Sequence, residues 1–385
     1  MKTIATVFAG FAVAGATACS PAEESEGGAS SWSLSVEPAL TIGEVDGASE
    51  YLFQQIVRAR LMPDGRIAVA DAGLSTVRVY GTGGEFVVEM GGAGEGPGEF
   101  ANLRDIWIPS PDIIAAFDPR ALRVTRFRTD GTLVDSRHLV PPGNQQIPGG
   151  TLDVFLGAFD DGSIATGFLA GGGGLEPGVI TEDRFFLVRF DAAGSFANLM
   201  GEETFFHRTG FSGGGGAPVP FSPRPYAAVF GDSLYFSDGS RPEIEVRDWR
   251  GNVSRTIALP VGSTNVNAAF AALEAELGTE GFYTVERLRE SPRPDVIPHI
   301  AGMLVDDAGY IWARAYDAPR DALWFPAGSR RFGGTWWVID PAGEHVATVE
   351  MPDNFKPLDI RGDRIAGLTR DELDVERVAV HTIDR

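Results

Sequence analysis

Three aspartates recur at the same point of a repeated pattern, directly after a short apolar run. Asp71 follows "IAVA", Asp118 follows "IIAAF" and Asp238 follows "LYFS". Carboxylate oxygens are hard ligands, so three of them around one centre could bind Ca²⁺ or Mg²⁺. Alternatively, each aspartate accepts hydrogen bonds from the backbone of the loop beside it. We favour this capping role because the position recurs with the repeat, and Ca²⁺ or Mg²⁺ stays the candidate cofactor.

Two other segments combine aromatic and cationic side chains, which suit sugar, peptide or carboxylate ligands. The first segment, "FFHRTGF", contributes three candidate ligand-binding residues: His207, Arg208 and Phe211. The second segment, "RDALWFPAGSRRFGGTWW", contributes four: Arg320, Trp324, Arg330 and Arg331. The alternative is that such residues pack against the protein itself, and for "FFHRTGF" we favour packing.

Several other kinds of chemistry have no candidate residues. The sequence has no Gly-x-Ser-x-Gly motif, and its single cysteine is Cys19. The five histidines show no metal-ligand spacing. The run "GGAGEGPGEF" has no nucleotide-binding glycine frame, and its glutamates would repel a phosphate. A net charge of −21 argues against a nucleic-acid partner and leaves a lipid anchor as the only expected membrane contact.

The N-terminal sequence "MKTIATVFAGFAVAGATAC" has the layout of a secretion signal: a cationic start, an apolar centre and small residues before Cys19. It resembles a bacterial lipobox, which predicts a signal over 1–18 and lipidation of Cys19. The small residues at 16 and 18 also fit cleavage without lipidation, so plain secretion is the alternative. Residues 19–31 lack apolar periodicity and predict a flexible tether. We therefore expect an exported protein, lipid-anchored at the outer membrane or periplasmic.

The candidate residues lie on a repeat that predicts the fold. Six segments join an Asp or Gly turn to a short alternating strand: "PDGRIAVAD", "SPDIIAAFD", "DDGSIATGF", "FGDSLYFSD", "DDAGYIWAR" and "RGDRIAGLT". Each of the first five precedes two strands around a tight polar turn, as in "VRVYGTGGEFVVEM". With the apolar strand before each turn, the count is four strands per repeat. Repeats of about 50 residues with four strands are typical of β-propeller blades.

The copies, and above all "GEGPGEF" between the first two, resemble bacterial six-bladed β-propeller lipoproteins related to NHL-repeat propellers. The resemblance implies an all-β, six-bladed propeller of four-stranded antiparallel blades over 32–385, as a single domain. The sixth copy lacks its outermost strand, and "WSLSVEPALTI" near the N terminus is an unassigned strand. We expect this N-terminal strand to pair into blade six and close the ring.

In such blades, the connections between second and third strands and between blades open on one face of the ring. The long segments of this sequence fall on that face, which we call the loop-rich face, and the tight turns fall on the opposite, tight-turn face. One insertion carries a helical pattern over Asn267–Leu277, expected to pack as a lid. We predict a monomer that binds a peptide, glycan or envelope protein on the loop-rich face without catalysis. The alternative is a metal-dependent hydrolase or lyase of the lactonase or NHL-like kind.

Overall fold

The structure is a computed structural model that describes residues 30–143, 145–262, 265–278, 283–318, 320–323 and 332–385. The predicted signal and the predicted lipidation site, Cys19, lie outside these ranges, as do three predicted ligand-binding residues, Trp324, Arg330 and Arg331. Within the described ranges, no helix is both long and apolar enough to cross a membrane.

The described strands form six sheets, one for each predicted blade. Three strands precede the repeats: β1 (Ser30–Ser31), β2 (Ser33–Leu34) and β3 (Leu40–Ile42). Blade one contains β4 (Ile56–Leu61), β5 (Ile67–Asp71), β6 (Thr76–Tyr80) and β7 (Phe86–Gly91). Blade two contains β8 (Asp105–Ser110), β9 (Ile113–Asp118), β10 (Arg123–Arg128) and β11 (Leu133–His138). Blade three contains β12 (Thr151–Ala158), β13 (Ile164–Ala170), β14 (Thr181–Phe190), β15 (Phe196–Gly210) and β16 (Gly216–Pro218).

The second half of the chain repeats this arrangement. Blade four contains β17 (Tyr226–Phe230), β18 (Ser233–Ser237), β19 (Glu243–Arg247) and β20 (Val253–Ala258). Two helices follow, α1 (Val266–Glu276) and α2 (Val285–Glu290). Blade five contains β21 (Ile300–Val305), β22 (Ile311–Ala315), β23 (Gly334–Ile339) and β24 (His345–Met351). Blade six contains β25 (Phe355–Arg361), β26 (Arg364–Arg370) and β27 (Glu376–Asp384). The all-β, six-bladed prediction is confirmed.

The hydrophobic core lies between the blades. Strand β5 is buried along its whole length, whereas the outer strand β7 is largely exposed. One apolar cluster joins Ala68 and Val79 of blade one to Ile106 and Phe127 of blade two. Since each blade packs face to face on the next, its middle strands are covered on both sides, and their sequences read as continuous apolar runs.

The N-terminal segment closes the ring as predicted. Strand β3 pairs antiparallel with β27, placing Ile42 opposite Val378, and β2 pairs with the far end of β27. Strand β1 pairs in parallel with β24 of blade five. Because β1 includes Ser30 and Ser31, which the sequence assigned to the tether, the propeller extends two residues further toward the N terminus than predicted.

The "GEGPGEF" run is an inter-blade connection held by its own aromatic residue. Phe100 is 1% exposed and packs against Phe127 at a ring-centroid distance of 6.2 Å. Gly91 has φ +99°, and a Cβ there would lie 2.5 Å from the Phe100 ring. The Arg123 guanidinium donates to the carbonyls of Glu95 and Glu99. Glycine therefore gives the backbone room to pass over a buried anchor, which explains the run without a nucleotide.

The two helices form a small second core on the loop-rich face. Helix α1 begins after Asn265, whose side chain accepts a hydrogen bond from Ala268, and ends one residue short of the predicted Leu277. Phe270 and Leu273 of α1 pack with Phe221 and with Leu288 of α2. Because its apolar side is covered in this way, α1 serves as the packed lid that the sequence predicted.

Candidate functional site

The three aspartates predicted as metal ligands accept backbone hydrogen bonds instead. Asp71 accepts from the amides of Gln54 and Gln55 at 2.8 and 3.0 Å. Asp118 accepts from Ala101 at 2.7 Å and from two further amides.

Asp238 accepts from the amides of Ser240 and Arg241 and forms an ion pair with the Arg241 side chain at 2.7 Å. In the described part of the chain, no group of three or more His, Cys, Asp or Glu residues is placed to hold a metal ion. The structure thus does not bring these three carboxylates together as a Ca²⁺ or Mg²⁺ site, because each one accepts hydrogen bonds from the backbone of a different loop.

The "FFHRTGF" segment lies on strand β15 rather than in the expected long loop. His207 faces Glu182 on β14, with 3.7 Å between Nε2 and Oε1. Burial lowers the pKa of His207, and the charge of Glu182 opposes that effect. Arg208 pairs with Asp183 at 2.6 Å.

Phe211 follows β15 and is 5% exposed, so it offers no accessible surface to a ligand. Its ring meets Tyr283 edge-on at 6.1 Å, and the Arg287 guanidinium lies 5.2 Å from its centroid. Phe211 packs the lid, which corrects its prediction as a ligand-binding residue.

Of the four candidate residues in the second predicted segment, Arg320 is the one that lies within the described ranges. It lines a cleft of about 440 Å³ on the loop-rich face. The cleft opens where the inner strands of blades four, five and six begin, beside the lid. Four basic residues border it: Arg224, Arg314, Arg320 and Lys356. Three aromatic residues border it as well: Tyr226, Tyr316 and Phe332. Asp321 is the single acidic residue among its described lining residues, so we call it the cationic cleft.

Internal contacts fix part of this lining. Arg314 pairs with Asp321 at 2.7 Å, and both side chains are largely buried. Arg320 pairs with Asp353 at 3.1 Å and donates to the carbonyl of Gly333. The Tyr316 hydroxyl donates to the carbonyl of Asp321 at 2.8 Å. These bonds hold the aromatic and cationic groups in place before any ligand arrives, which lowers the cost of ordering them on binding.

Lys356 differs from the other basic residues of the cleft. Among the described residues, no carboxylate lies within ion-pair distance of its ammonium and no hydrogen bond ends on it. Its Nζ lies 5.7 Å from the centroid of Phe332. Its side chain is exposed to solvent in the cleft. Partial desolvation, with the charges of Arg58 and Arg370, lowers its pKa, and the charge of Glu376 opposes this effect. Lys356 is not among the residues predicted from the sequence, although one signal points to it: apart from Lys2 it is the only lysine of the chain.

A second cavity, of about 510 Å³, occupies the channel toward the tight-turn face. Its arginines are internally paired: Arg58 with Asp105, Arg60 with Asp359 at 2.9 Å, and Arg361 with Asp307 at 3.2 Å. Because five aspartates and three arginines are among its described lining residues, this cavity has an excess of acidic side chains and does not favour an anion. The cationic cleft is therefore the better candidate for ligand recognition.

The six sheets place this protein in the class of six-bladed β-propellers. A family profile described as "DUF5128: 6-bladed beta-propeller" matches residues 46–139, which contain blades one and two. The match confirms the resemblance to six-bladed propeller proteins, and the other four sheets extend the architecture to the C-terminal strand. No curated protein matches the sequence.

Solved structures with similar backbones cover nearly the whole chain. A member of the DUF4221 family from Bacteroides vulgatus is 10% identical, covers 92% of this chain and 99% of its own, and has a TM-score of 0.49. Virginiamycin B lyase from Staphylococcus aureus, solved with quinupristin, is 10% identical over 91% of this chain and 99% of its own, with a TM-score of 0.43. Regucalcin from Agrobacterium tumefaciens, a calcium-binding protein, is 13% identical over 91% and 96%, with a TM-score of 0.40. At these scores, neither the lyase nor the calcium-binding protein bears on the function of this chain.

Proposed function

We propose that this protein is an exported propeller that binds an anionic ligand, a peptide or glycan bearing a carboxylate, in the cationic cleft. Export is supported by the signal-like N-terminal sequence, and lipidation of Cys19 is the preferred form of anchoring. The cleft binds its ligand by charge and shape, with no metal.

One observation carries the proposal: the described lining of the cleft has four basic residues and a single acidic one, in a chain whose net charge is −21. Elsewhere the excess of acids repels anions, so a local surplus of positive charge selects and attracts them. Guanidinium groups suit carboxylates because their planar donors can form two parallel bonds. The three aromatic rings add flat surfaces for a sugar ring or a peptide side chain.

The test compares matched anionic and neutral probes by calorimetric titration. D-Glucuronate and D-glucose differ in a carboxylate, and a panel of acetylated acidic tripeptides and their amides repeats the comparison. We expect binding of the acids, weaker binding of the neutral forms, and loss of affinity with rising salt. Equal binding of acid and neutral forms, or no binding by any acid of the panel, would contradict the proposal.

Two variants locate the binding. Arg320→Gln removes one cationic side chain of the cleft and should weaken the acids by roughly tenfold or more, the loss expected for a hydrogen bond to a charged group. Arg250→Gln makes the same change on the exposed tight-turn face and should leave affinity unchanged. Equal effects of the two variants would place the site outside the cleft.

A further inference from the structure

The chain uses arginine almost everywhere that it needs a positive charge. Of its 32 basic residues, 30 are arginines, and the two lysines are Lys2 and Lys356. Lys2 belongs to the predicted signal, so a mature chain would retain Lys356 alone. This one lysine lies at the start of the inner strand β25 and lines the cationic cleft.

Lysine and arginine differ in one chemical respect that matters here. A guanidinium stays protonated in proteins, whereas a lysine amine can lose its proton and act as a nucleophile. Lys356 meets the conditions for this. In the described chain no carboxylate lies within ion-pair distance of its ammonium. Desolvation and the positive charges of Arg58, Arg370 and Arg104 lower its pKa, and the charge of Glu376 opposes this effect. The cleft keeps its amine accessible to a ligand.

We propose that Lys356 forms a reversible imine with a ligand that carries both a carbonyl and a carboxylate group, that is, a 2-oxo acid. This inference rests on the proposed function, because the arginines of the cleft would hold the carboxylate while the amine meets the carbonyl. The neutral Nζ attacks the carbonyl carbon, and the carbonyl oxygen becomes a hydroxyl. In this first step one amine proton moves to that oxygen; the hydroxyl then leaves as water with the second amine proton, the C–O bond breaks, and a C=N bond remains. No oxidant or reductant takes part.

The experiment traps the imine by reduction. The purified protein is incubated with pyruvate and sodium cyanoborohydride, and peptide mapping separates residue 356 from Lys2 and from the N-terminal amine. We expect saturable labelling at Lys356, roughly tenfold or more above that of the other amines, a factor equivalent to about 1.4 kcal/mol. Propionaldehyde, which lacks the carboxylate, should label Lys356 far less. Lactate, which lacks the carbonyl, should compete without being trapped.

Two variants complete the test. Lys356→Arg keeps the charge but removes the nucleophilic amine, so it should abolish labelling. Arg250→Gln should label as the unaltered protein does. Absence of labelling at Lys356, with acids still bound in the cleft, would overturn the imine and leave the proposed function intact. Equal labelling by propionaldehyde and pyruvate would overturn the assignment of a 2-oxo acid. Loss of both acid binding and labelling would refute the proposed function and the imine together.

Discussion

Replacing Asp118 by alanine tests whether the recurring aspartates are loop caps or metal ligands. Asp118 is 1% exposed and accepts three backbone hydrogen bonds, from Ala101, Asn102 and Ala121, at 2.7, 3.1 and 2.8 Å. A hydrogen bond to a charged group contributes about 1.5 to 3 kcal/mol, so three contribute at most about 4.5 to 9 kcal/mol. Ala101 and Asn102 are only partly buried, so water can replace some of these bonds in the variant. We expect Asp118→Ala to lower the free energy of unfolding by about 3 to 5 kcal/mol.

Urea denaturation measures this change, and Asp112→Ala is the matched control in the same blade. The Asp112 side chain is 63% exposed and pairs with an equally exposed Arg128, so its loss should change stability by less than about 0.5 kcal/mol. Both proteins are measured in chelator and in millimolar Ca²⁺. A loss below about 1 kcal/mol for Asp118→Ala would refute the capping argument. A Ca²⁺-dependent rise in melting temperature that disappears in this variant would instead support the metal interpretation.

Two further predictions concern packing and charge. Phe100→Ala should lower the free energy of unfolding, measured by urea denaturation, by about 3 to 5 kcal/mol, because it leaves a cavity where a buried ring was. Phe86→Ala, at a residue that is 36% exposed, should lower it much less. Equal losses would show that the aromatic ring does not anchor the "GEGPGEF" loop. Arg247→Met should cost about 3 to 5 kcal/mol at pH 7, because Arg247 pairs with Glu245 and Glu203 at 2.5 and 2.8 Å. Burial alone would raise the pKa of Glu245, but hydrogen bonds from Arg241 and Arg247 outweigh burial and lower this pKa. The ionised Glu245 therefore stabilises the folded state at neutral pH, and this stabilisation is lost as the pH falls below about 4.5. Unfolding free energies measured against pH should therefore fall less steeply on acidification in Arg247→Met than in the unaltered protein, and parallel curves would contradict this.

The sequence predicted the features that local patterns encode. An Asp or Gly turn followed by an alternating strand predicts each blade. Apolar residues spaced three and four apart predict α1. Counting strands predicted how the ring closes, because the sixth blade lacked its outermost strand and the N-terminal strand belonged to no blade. These inferences need no knowledge of which residues meet in space.

The candidate site depends on which residues contact one another in space, and the sequence predicted these contacts less well. Phe211 and Arg320 belong to similar aromatic and cationic segments, yet one packs beneath α2 and the other borders the cleft. The sequence of neither segment indicates which of its residues the lid covers. The sequence did not predict Lys356 as a site residue, because the candidates lie in long segments and Lys356 follows one of the shortest inter-blade connections. Its partners in the cleft come from blades four and five, which only the closed ring brings together.

The position of Lys356 is fixed by the same contacts that close the ring. Asp359, three residues further along β25, accepts a hydrogen bond from the Leu61 amide at 2.8 Å and pairs with Arg60 of blade one. At the other end of β4, the amide of Ile56 donates to buried Glu376 of β27, which also belongs to blade six. Blades six and one have no loop between them other than the N-terminal segment, so these charged contacts determine how closely their inner strands approach. A lysine on β25 is thus held by a rigid seam and faces a cleft whose other walls come from blades four and five, an arrangement suited to presenting one amine to a bound anion.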